Sequence, residues 1–387
     1  MGSSFPPQSR RYRIGNSMIQ NLLIGNGVII QYGGAEYLNS SLVNRALKNI
    51  RTNQFPAHLY PEECADFVVT MQKQHRRALR GKYDKYAFTS YDRSSLESFK
   101  RRYSTARSYS VDEIGFEDYF LLFELIHNKQ GIGNPERFTS RGVMKRMFLD
   151  SVYNKGELEN VHFNFPLHFV EWLKEFDQIF TTNYDSNLDA ALGKDVFHLH
   201  GSFATLSETY DPTSFRNQLQ DDLLDGEQVD PRFMYLYSNC LVSYVGDLKL
   251  SSMGQSPQAN KAMKGFVAGY ESDPSIRKQI DELPDGNDLT RRLKEAIRLK
   301  AKQPELEHGE QYPHSRLEQT TGPLAIVGLS PTNDGHLFIQ ILANDRISEV
   351  EYYYFDEREI AEAESLFHSK TLRVIDVRSL WAKFEKP

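Results

Sequence analysis

The sequence predicts an α/β fold built on a doubly wound parallel sheet with large, mainly helical insertions. Three observations lead to this prediction. Short apolar runs recur along the chain, which is typical of strands buried on both faces of a sheet. Tracts of helical character separate these runs, as in folds whose parallel strands are joined by crossover helices. Glycine or small polar residues follow several of the runs, as expected where strands end at a ligand-binding edge.

Six apolar runs form the predicted strands. They cover residues 21–24, 178–181, 196–199, 323–329, 350–355 and 372–377. Five tracts are predicted to be helices, at residues 61–79, 116–128, 166–176, 289–300 and 356–368. Strands separated by helical tracts indicate a Rossmann-like sheet.

The spacing of the strands predicts the domain organisation. About 150 residues separate the first strand from the second, and a second long gap precedes the fourth, far more than a connecting loop needs. We expect an N-terminal arm at residues 1–20 and one domain at residues 21–385. Its insertions are expected at about 40–165, mainly helical, and at about 205–320, mixed and partly mobile because polar stretches lie there.

The composition excludes several classes of protein. Of 387 residues, 40% are hydrophobic and 25% charged, an ordinary globular balance. No apolar run reaches the roughly 18 residues of a transmembrane helix, and no apolar signal region follows the N-terminal basic residues. We therefore expect no membrane association and a cytoplasmic location. Cys64 and Cys240 are too few for a disulfide framework or a four-cysteine zinc site, and no metal is expected.

The net charge of −6 conceals an uneven distribution. Residues 1–110 carry 17 Lys and Arg against 7 Asp and Glu, which leaves the rest of the chain strongly acidic. Such basic clusters suit nucleic acid, solvated helix faces, or an acidic partner or sister subunit. Because no nucleic-acid-binding module is recognisable, we favour the last two interpretations.

The first motif is the glycine turn Gly25-Asn26-Gly27, directly after the first strand. Such a turn lets backbone N–H groups approach a pyrophosphate. The dehydrogenase fingerprint would need a third glycine where Ile30 stands and an acidic residue about 20 positions later, which is missing. A structural turn without a ligand fits this motif equally well.

The second motif places polar residues at the ends of two strands. The second strand runs into Thr-Thr-Asn-Tyr-Asp at 181–185, and the third ends in His-Leu-His-Gly. Because polar residues at the carboxyl ends of parallel strands face the ligand crevice, Asn183, Asp185 and His200 are expected to converge. His198 shares a strand face with His200. His200 is the better catalytic candidate, since it lies nearer the strand end and precedes a glycine.

A third motif, Gly-Leu-Ser at 328–330, follows the fourth strand. Gly328 and Ser330 are candidates for a further phosphate or ribose contact in the same crevice, and a surface turn is the alternative. The last strand ends at Asp376, a candidate contact to a purine or a ribose.

In this order the motifs resemble the SIR2, or sirtuin, family. The family signature has a glycine turn, a Thr-Gln-Asn-x-Asp motif, a His-Gly motif and a Gly-x-Ser motif, which correspond to 25–27, 181–185, 198–201 and 328–330. The sequence is most similar to the bacterial SIR2-like branch of anti-phage systems, which typically reads Thr-x-Asn-Tyr-Asp. The Phe-Glu-Asp run at 116–118 also resembles that branch.

The resemblance implies an enzyme that hydrolyses NAD+ and depletes it during anti-phage defence. Protein-deacylating sirtuins carry a four-cysteine zinc module after the His-Gly motif, whereas this chain has only Cys240 there, and Thr182 replaces the family's glutamine. NAD+ is therefore expected as a substrate, without zinc. A chain of this size without a fused sensor is most similar to the SIR2 subunit that works with a HerA-like hexameric ATPase. That similarity implies a large homo-oligomer that is activated by assembly and contacts nucleic acid only through the complex.

The roles implied for single residues follow the chemistry of NAD+. Nicotinamide departs as a neutral group, so the site must stabilise an oxocarbenium-like ribosyl centre and deliver water. Asn183 is expected to bind the nicotinamide ribose or the attacking water, and His200 to act as a general base. Asp185 would orient the ribose or shape the turn. The candidates for the remaining NAD+ contacts are Gly25, Asn26, Gly27, Thr182, Gly328, Ser330 and Asp376.

Three other functions stay open. An NAD-dependent protein deacylase would release nicotinamide only when an acyl peptide is present. A sensor or scaffold subunit would bind NAD+ or ADP-ribose without turnover. A nuclease role within an ATPase complex is supported only by the basic first insertion, and no paired carboxylate cluster of the metal-nuclease kind is visible in the sequence.

Overall fold

A computed structural model describes residues 13–14, 17–18, 21–52, 63–134, 136–219, 229–286 and 288–385. The chain divides into two compact units. The first is drawn from Met1–Tyr37, Gly156–Leu199 and Pro313–Pro387, and the second from Leu38–Lys155 and His200–Tyr312. The predicted arm at 1–20 lies outside the described residues, apart from a short antiparallel pairing of Arg13–Ile14 with Ser17–Met18.

The first unit contains a six-stranded, all-parallel sheet. Its strands are β1 Asn21–Ile24, β2 Gln178–Thr181, β3 Phe197–His198, β4 Leu324–Val327, β5 Glu349–Tyr354 and β6 Thr371–Asp376. They are ordered β3-β2-β1-β4-β5-β6. This is the strand order of the Rossmann fold, so the predicted fold class is confirmed. Each predicted strand is present, with ends within two residues of those expected.

The described residues form sixteen α-helices. In chain order they are α1 Gly27–Gly33, α2 Asn39–Arg51, α3 Glu63–Leu79, α4 Ser90–Arg102, α5 Phe116–Gln130, α6 Glu136–Tyr153, α7 Leu167–Lys174, α8 Asn187–Leu192, α9 Asp247–Met253, α10 Gln255–Ser272, α11 Pro274–Asp281, α12 Asp288–Lys302, α13 His314–Gln319, α14 Gly335–Ala343, α15 Arg358–Leu366 and α16 Val377–Phe384. The five predicted helices correspond to α3, α5, α7, α12 and α15. In the part of the chain that the structure describes, no helix is long and apolar enough to cross a membrane.

Strand β1 lies at the centre of the sheet, and its side chains are buried on both faces. Leu22, Leu23 and Ile24 are fully buried, although neighbouring residues of a strand point to opposite faces. On the face of Leu23, Phe338 of α14 and Phe367, the residue directly after α15, help complete the core. Strand order reverses between β1 and β4, and in open α/β sheets ligands bind outside the carboxyl ends of the strands at such a point.

The second unit is mainly helical and joins two separate segments of the chain. It contains α2–α6 from the first segment and α9–α12 from the second. Helix α5 is its most buried element, since every residue from Asp118 to His127 is buried. Lys249 of α9 forms an ion pair with Glu117 of α5 at 2.6 Å, and Lys249 is itself buried. The insertions predicted at about 40–165 and 205–320 overlap these two segments.

Candidate functional site

Two glycine turns, one after β1 and one after β4, touch each other at the point where the strand order reverses. The Gly25 N–H donates to the Val327 carbonyl at 2.8 Å, and the Gly27 N–H donates to the Gly328 carbonyl at 3.1 Å. A Cβ atom on Gly27 would lie 2.6 Å from Gly328 Cα, and Gly328 itself has a φ of 74°. Glycine is required in both turns because the two backbones are in contact.

The predicted pyrophosphate-binding turn therefore uses some of its N–H groups within the protein. That of Gly25 donates to the end of β4, that of Gly27 donates to the neighbouring turn, and that of Val28 donates to the Gly25 carbonyl at 3.3 Å. Asn26 is exposed at the tip, where its side-chain amide lies 3.4 Å from the Tyr37 carbonyl. What the glycines offer a ligand is a flat backbone surface without side chains.

The loop after β2 is fastened to the end of β1 before it reaches Asn183. The Thr181 hydroxyl donates to the Ile24 carbonyl at 3.0 Å and accepts the Asn183 N–H at 3.1 Å. The N–H of the half-buried Thr182 also donates to the Ile24 carbonyl, at 3.0 Å. The three bonds place Asn183 beside the glycine turn.

The Asn183 side chain is buried, yet its amide nitrogen has no hydrogen-bond partner among the residues that the structure describes. Leaving a buried donor unsatisfied costs about 1–3 kcal/mol. Buried polar groups in proteins are nearly always paired. The Asn183 amide nitrogen is one of several exceptions in the described residues, and it lies two residues after the end of β2. The amide is thus a free donor at the edge of the sheet where ligands bind.

Asp185 has a different environment from the one a ligand contact requires. It is almost fully buried, and its Oδ1 accepts the backbone N–H of Asn187 at 3.1 Å and the side-chain amide of Asn187 at 2.6 Å. Burial raises the pKa of Asp185, while the two bonds from Asn187 oppose that shift. Of the two roles considered for Asp185, the geometry matches the shaping of the turn that begins α8.

The two histidines of the His-Leu-His run lie in different units. His200 follows β3 by two residues and begins the second unit, where it is buried and its carbonyl accepts the Leu241 N–H at 2.9 Å. His198 lies in β3 within the first unit. Its Nδ1 is 3.0 Å from the Asn183 carbonyl oxygen, and its Nε2 is 3.0 Å from Asp189 Oδ2. Sequence reasoning gave a role only to His200 and missed this link between His198 and Asn183.

The remaining candidates fall into two groups. Ser330 lies two residues after Gly328 and is half-buried; its N–H donates to Asp334 Oδ2 at 3.2 Å. Asp376 is distant from both turns, because it ends the edge strand β6, three strands away from β1. Its carboxylate accepts the Arg378 N–H at 2.8 Å and so caps α16.

Sequence reasoning also missed a cleft within the second unit. The cleft has a volume of about 340 Å³ and lies among α4, α5, α6 and α9. Glu124 lines it and accepts hydrogen bonds from both Arg137 and Arg141, so one carboxylate serves two guanidinium groups. The Thr89–Asp92 capping box at the start of α4 was the one sequence signal for this region.

Metal ligation is not visible at either place. Across the described ranges, no group of three or more His, Cys, Asp or Glu side chains is arranged to hold a metal ion.

Comparison with known proteins adds no relative. No protein family, no curated protein and no solved structure matches the chain. The class of protein is defined by the fold, a Rossmann-like α/β sheet with helical insertions.

Proposed function

We propose that this protein is an NAD+ hydrolase, which cleaves NAD+ to nicotinamide and ADP-ribose. The observation that carries the proposal is the buried, unpartnered amide of Asn183 at the switch point of a Rossmann-like sheet, where dinucleotides bind in such folds. The order of the motifs supports the same activity, because it resembles that of the bacterial SIR2-like branch.

The chemistry needs no acid to expel nicotinamide, which is a cation on the ribose and leaves as a neutral molecule. The Asn183 amide would donate to a hydroxyl of the nicotinamide ribose or to the attacking water, and His200 would accept the proton from that water. The turns at Gly25–Gly27 and Gly328–Ser330 would hold the dinucleotide close to the backbone. Asp185 would support Asn183 by holding the turn, and Asp376 has no role in this proposal.

The biological setting in the proposal follows from the resemblance alone. The enzyme would act in the cytoplasm in anti-phage defence, as a homo-oligomer switched on by assembly with a HerA-like hexameric ATPase. NAD+ would be consumed as the substrate without zinc, and nucleic acid would be contacted only through the ATPase complex.

The test is nicotinamide release from NAD+ by the purified chain, alone and with a HerA-like ATPase. Asn183→Ala should lower kcat by about 10²–10³-fold, the usual cost of removing one donor that stabilises the transition state. His200→Ala should lower it by about 10²–10⁴-fold, as for loss of a general base. His168→Ala is the matched control, because His168 lies on α7 with an exposed side chain, and it should retain wild-type activity.

Each rival function predicts a different result. Nicotinamide release that depends on an acyl peptide would identify a deacylase. Tight NAD+ binding without release, alone and with the ATPase, would identify a sensor or scaffold subunit. Cutting of DNA with Mg2+ would identify a nuclease. Unchanged NAD+ cleavage by Asn183→Ala would remove the observation on which the proposal rests.

A further inference from the structure

His198 bridges two groups that only accept hydrogen bonds. Its Nδ1 lies 3.0 Å from the backbone carbonyl of Asn183, and its Nε2 lies 3.0 Å from the Asp189 carboxylate. A neutral imidazole carries one N–H and could serve one of these acceptors, whereas an imidazolium carries two and serves both. All three residues belong to the first unit.

With the bond from His198, both the N–H and the carbonyl of Asn183 are hydrogen-bonded. The N–H of Asn183 already donates to the Thr181 hydroxyl at 3.1 Å, and its carbonyl accepts from the His198 ring. With both groups held, the backbone of Asn183 has one orientation, and its buried side-chain amide is left with only its own two rotations. The direction in which that amide points is therefore set partly by His198.

We propose that His198 is a positioning residue, which as an imidazolium bridges Asp189 and the Asn183 carbonyl and thereby aims the Asn183 amide at the ribose. Its kinetic consequence rests on the proposed NAD+ hydrolysis, while its structural part does not. Two residues form the bridge. His198 lies two positions before the His-Gly pair, and Asp189 lies on α8, the helix that follows the Asn183 loop.

The charges around His198 favour the doubly protonated ring. Asp189 on α8, Asp185 in the loop and Glu159 in the 3-10 segment Asn154–Asn164 are the charged groups that act on it. Burial by itself lowers the pKa of His198, but the hydrogen bond and the charge of Asp189, the hydrogen bond to the Asn183 carbonyl and the charge of Asp185 together outweigh burial, and the pKa is raised overall. Among the groups that raise it, Asp189 contributes most.

The bridge makes the reaction sensitive to a rise in pH. When the pH rises through the raised pKa of His198, one ring N–H is lost and one of the two acceptors is released. We expect kcat to fall there. Asp189→Asn removes the charge that holds the proton, so the same fall should begin at lower pH. A purely structural histidine would lower stability on substitution without shifting the pH profile.

The protonation state can be measured without turnover. Side-chain ¹⁵N NMR of the full chain, with His198→Gln to assign the signal, should show that His198 of the wild type loses its second ring proton only above the ordinary histidine value of about 6.5. In Asp189→Asn the ring should lose that proton at lower pH than in the wild type. Loss of the second proton in the wild type at or below about pH 6.5 would overturn the proposal.

The kinetic arm uses His198→Gln, whose amide can place a donor nitrogen at one of the two ring-nitrogen positions but not at both. We expect kcat for NAD+ to fall by about 100-fold, the effect of a reacting group misplaced by about 1 Å, with a much smaller change in KM. His168→Gln and Glu171→Gln are matched controls, since they break an exposed His–Glu pair with a 3.2 Å separation on α7. A kcat of His198→Gln equal to the wild type would overturn the proposal.

Failure of the two proposals can be told apart. If the wild type binds NAD+ but releases no nicotinamide, the proposed hydrolysis fails, and the bridge is judged from the side-chain amide signals of Asn183. Those signals should shift in His198→Gln and Asp189→Asn and stay in place in His168→Gln. Unshifted signals in both bridge variants would overturn the positioning role.

Discussion

One carboxylate oxygen of Asp185 accepts two hydrogen bonds from Asn187, at 3.1 Å from its backbone N–H and at 2.6 Å from its side-chain amide. These bonds close the turn between the Asn183 loop and α8. We expect Asp185→Ala to lower the free energy of unfolding by about 2–3 kcal/mol, because two buried donors lose their acceptor. Asp185→Asn keeps an acceptor oxygen and should lose less. Urea denaturation measures both, and equal stability of Asp185→Ala and the wild type would contradict the assignment.

The contact between the two glycine turns can be separated from the cost of a positive φ. Gly328 and Gly131 have φ values of 74° and 70°, but a Cβ would meet Gly27 Cα at 3.0 Å in the first case and nothing within 4 Å in the second. Gly131→Ala should therefore cost only the left-handed conformation, about 1 kcal/mol. Gly328→Ala should cost roughly 1–3 kcal/mol more, because tight packing must give way. Equal losses in denaturant titrations would show that the turns do not need close contact.

Glu124, the carboxylate shared by two arginines in the cleft, should contribute more to the free energy of unfolding than an exposed ion pair does. Glu124 has a side chain only 10% exposed and accepts from Arg137 and Arg141. Glu124→Gln leaves two guanidinium groups without their counter-charge, and we expect the free energy of unfolding to fall by about 2–3 kcal/mol. The loss is smaller than for a fully buried ion pair because both arginines are partly exposed. The control is Glu282→Gln, which removes an exposed pair with Lys278 and should change stability by less than about 0.5 kcal/mol. Equal effects of the two variants in denaturant titrations would contradict the prediction.

His75 should make the protein less stable in mild acid. It is buried against the rings of Phe99, Tyr103 and Tyr109, and burial lowers its pKa to about 4 although Asp118 opposes the shift. The unfolded chain takes up the proton near pH 6.5, so stability is complete above that pH and declines as the pH falls toward 4. We expect the Tm of the wild type to fall more between pH 7 and 5 than that of His75→Phe. Parallel pH profiles of Tm would count against a neutral buried His75.

The sheet could be predicted from the sequence because burial on both faces leaves a visible pattern. Leu22–Ile24 in β1 and Leu324–Val327 in β4 are continuous apolar runs bounded by a polar residue, proline or glycine. Helices of the second unit were harder to predict where few apolar side chains mark them. In α4 only Leu96 and Phe99 are buried apolar residues, and most of the helix is polar. Its capping box was the signal that would have located its start.

The candidate site was predictable as far as the strand ends reach. Asn183 could be placed near the glycine turn because parallel strands bring their carboxyl ends to one edge. The His198 bridge could not, because its partner Asp189 lies on α8 and the contact arises from how that helix packs beside β3. The same rule does not bring Asp376 to the crevice, since a strand end at the edge of a wide sheet is far from the crevice at its centre.

The central position of β1 also determines when this strand can pair with both of its neighbours during synthesis. The ribosome makes its neighbour β4 about 300 residues after β1. At roughly 5–20 residues per second, a ribosome needs about 15–60 s to deliver that neighbour. For all that time, one hydrogen-bonding edge of the largely apolar β1 has no native partner. The nascent chain is therefore open to mispairing until β4 has emerged, and factors that shield nascent chains should raise its folding yield.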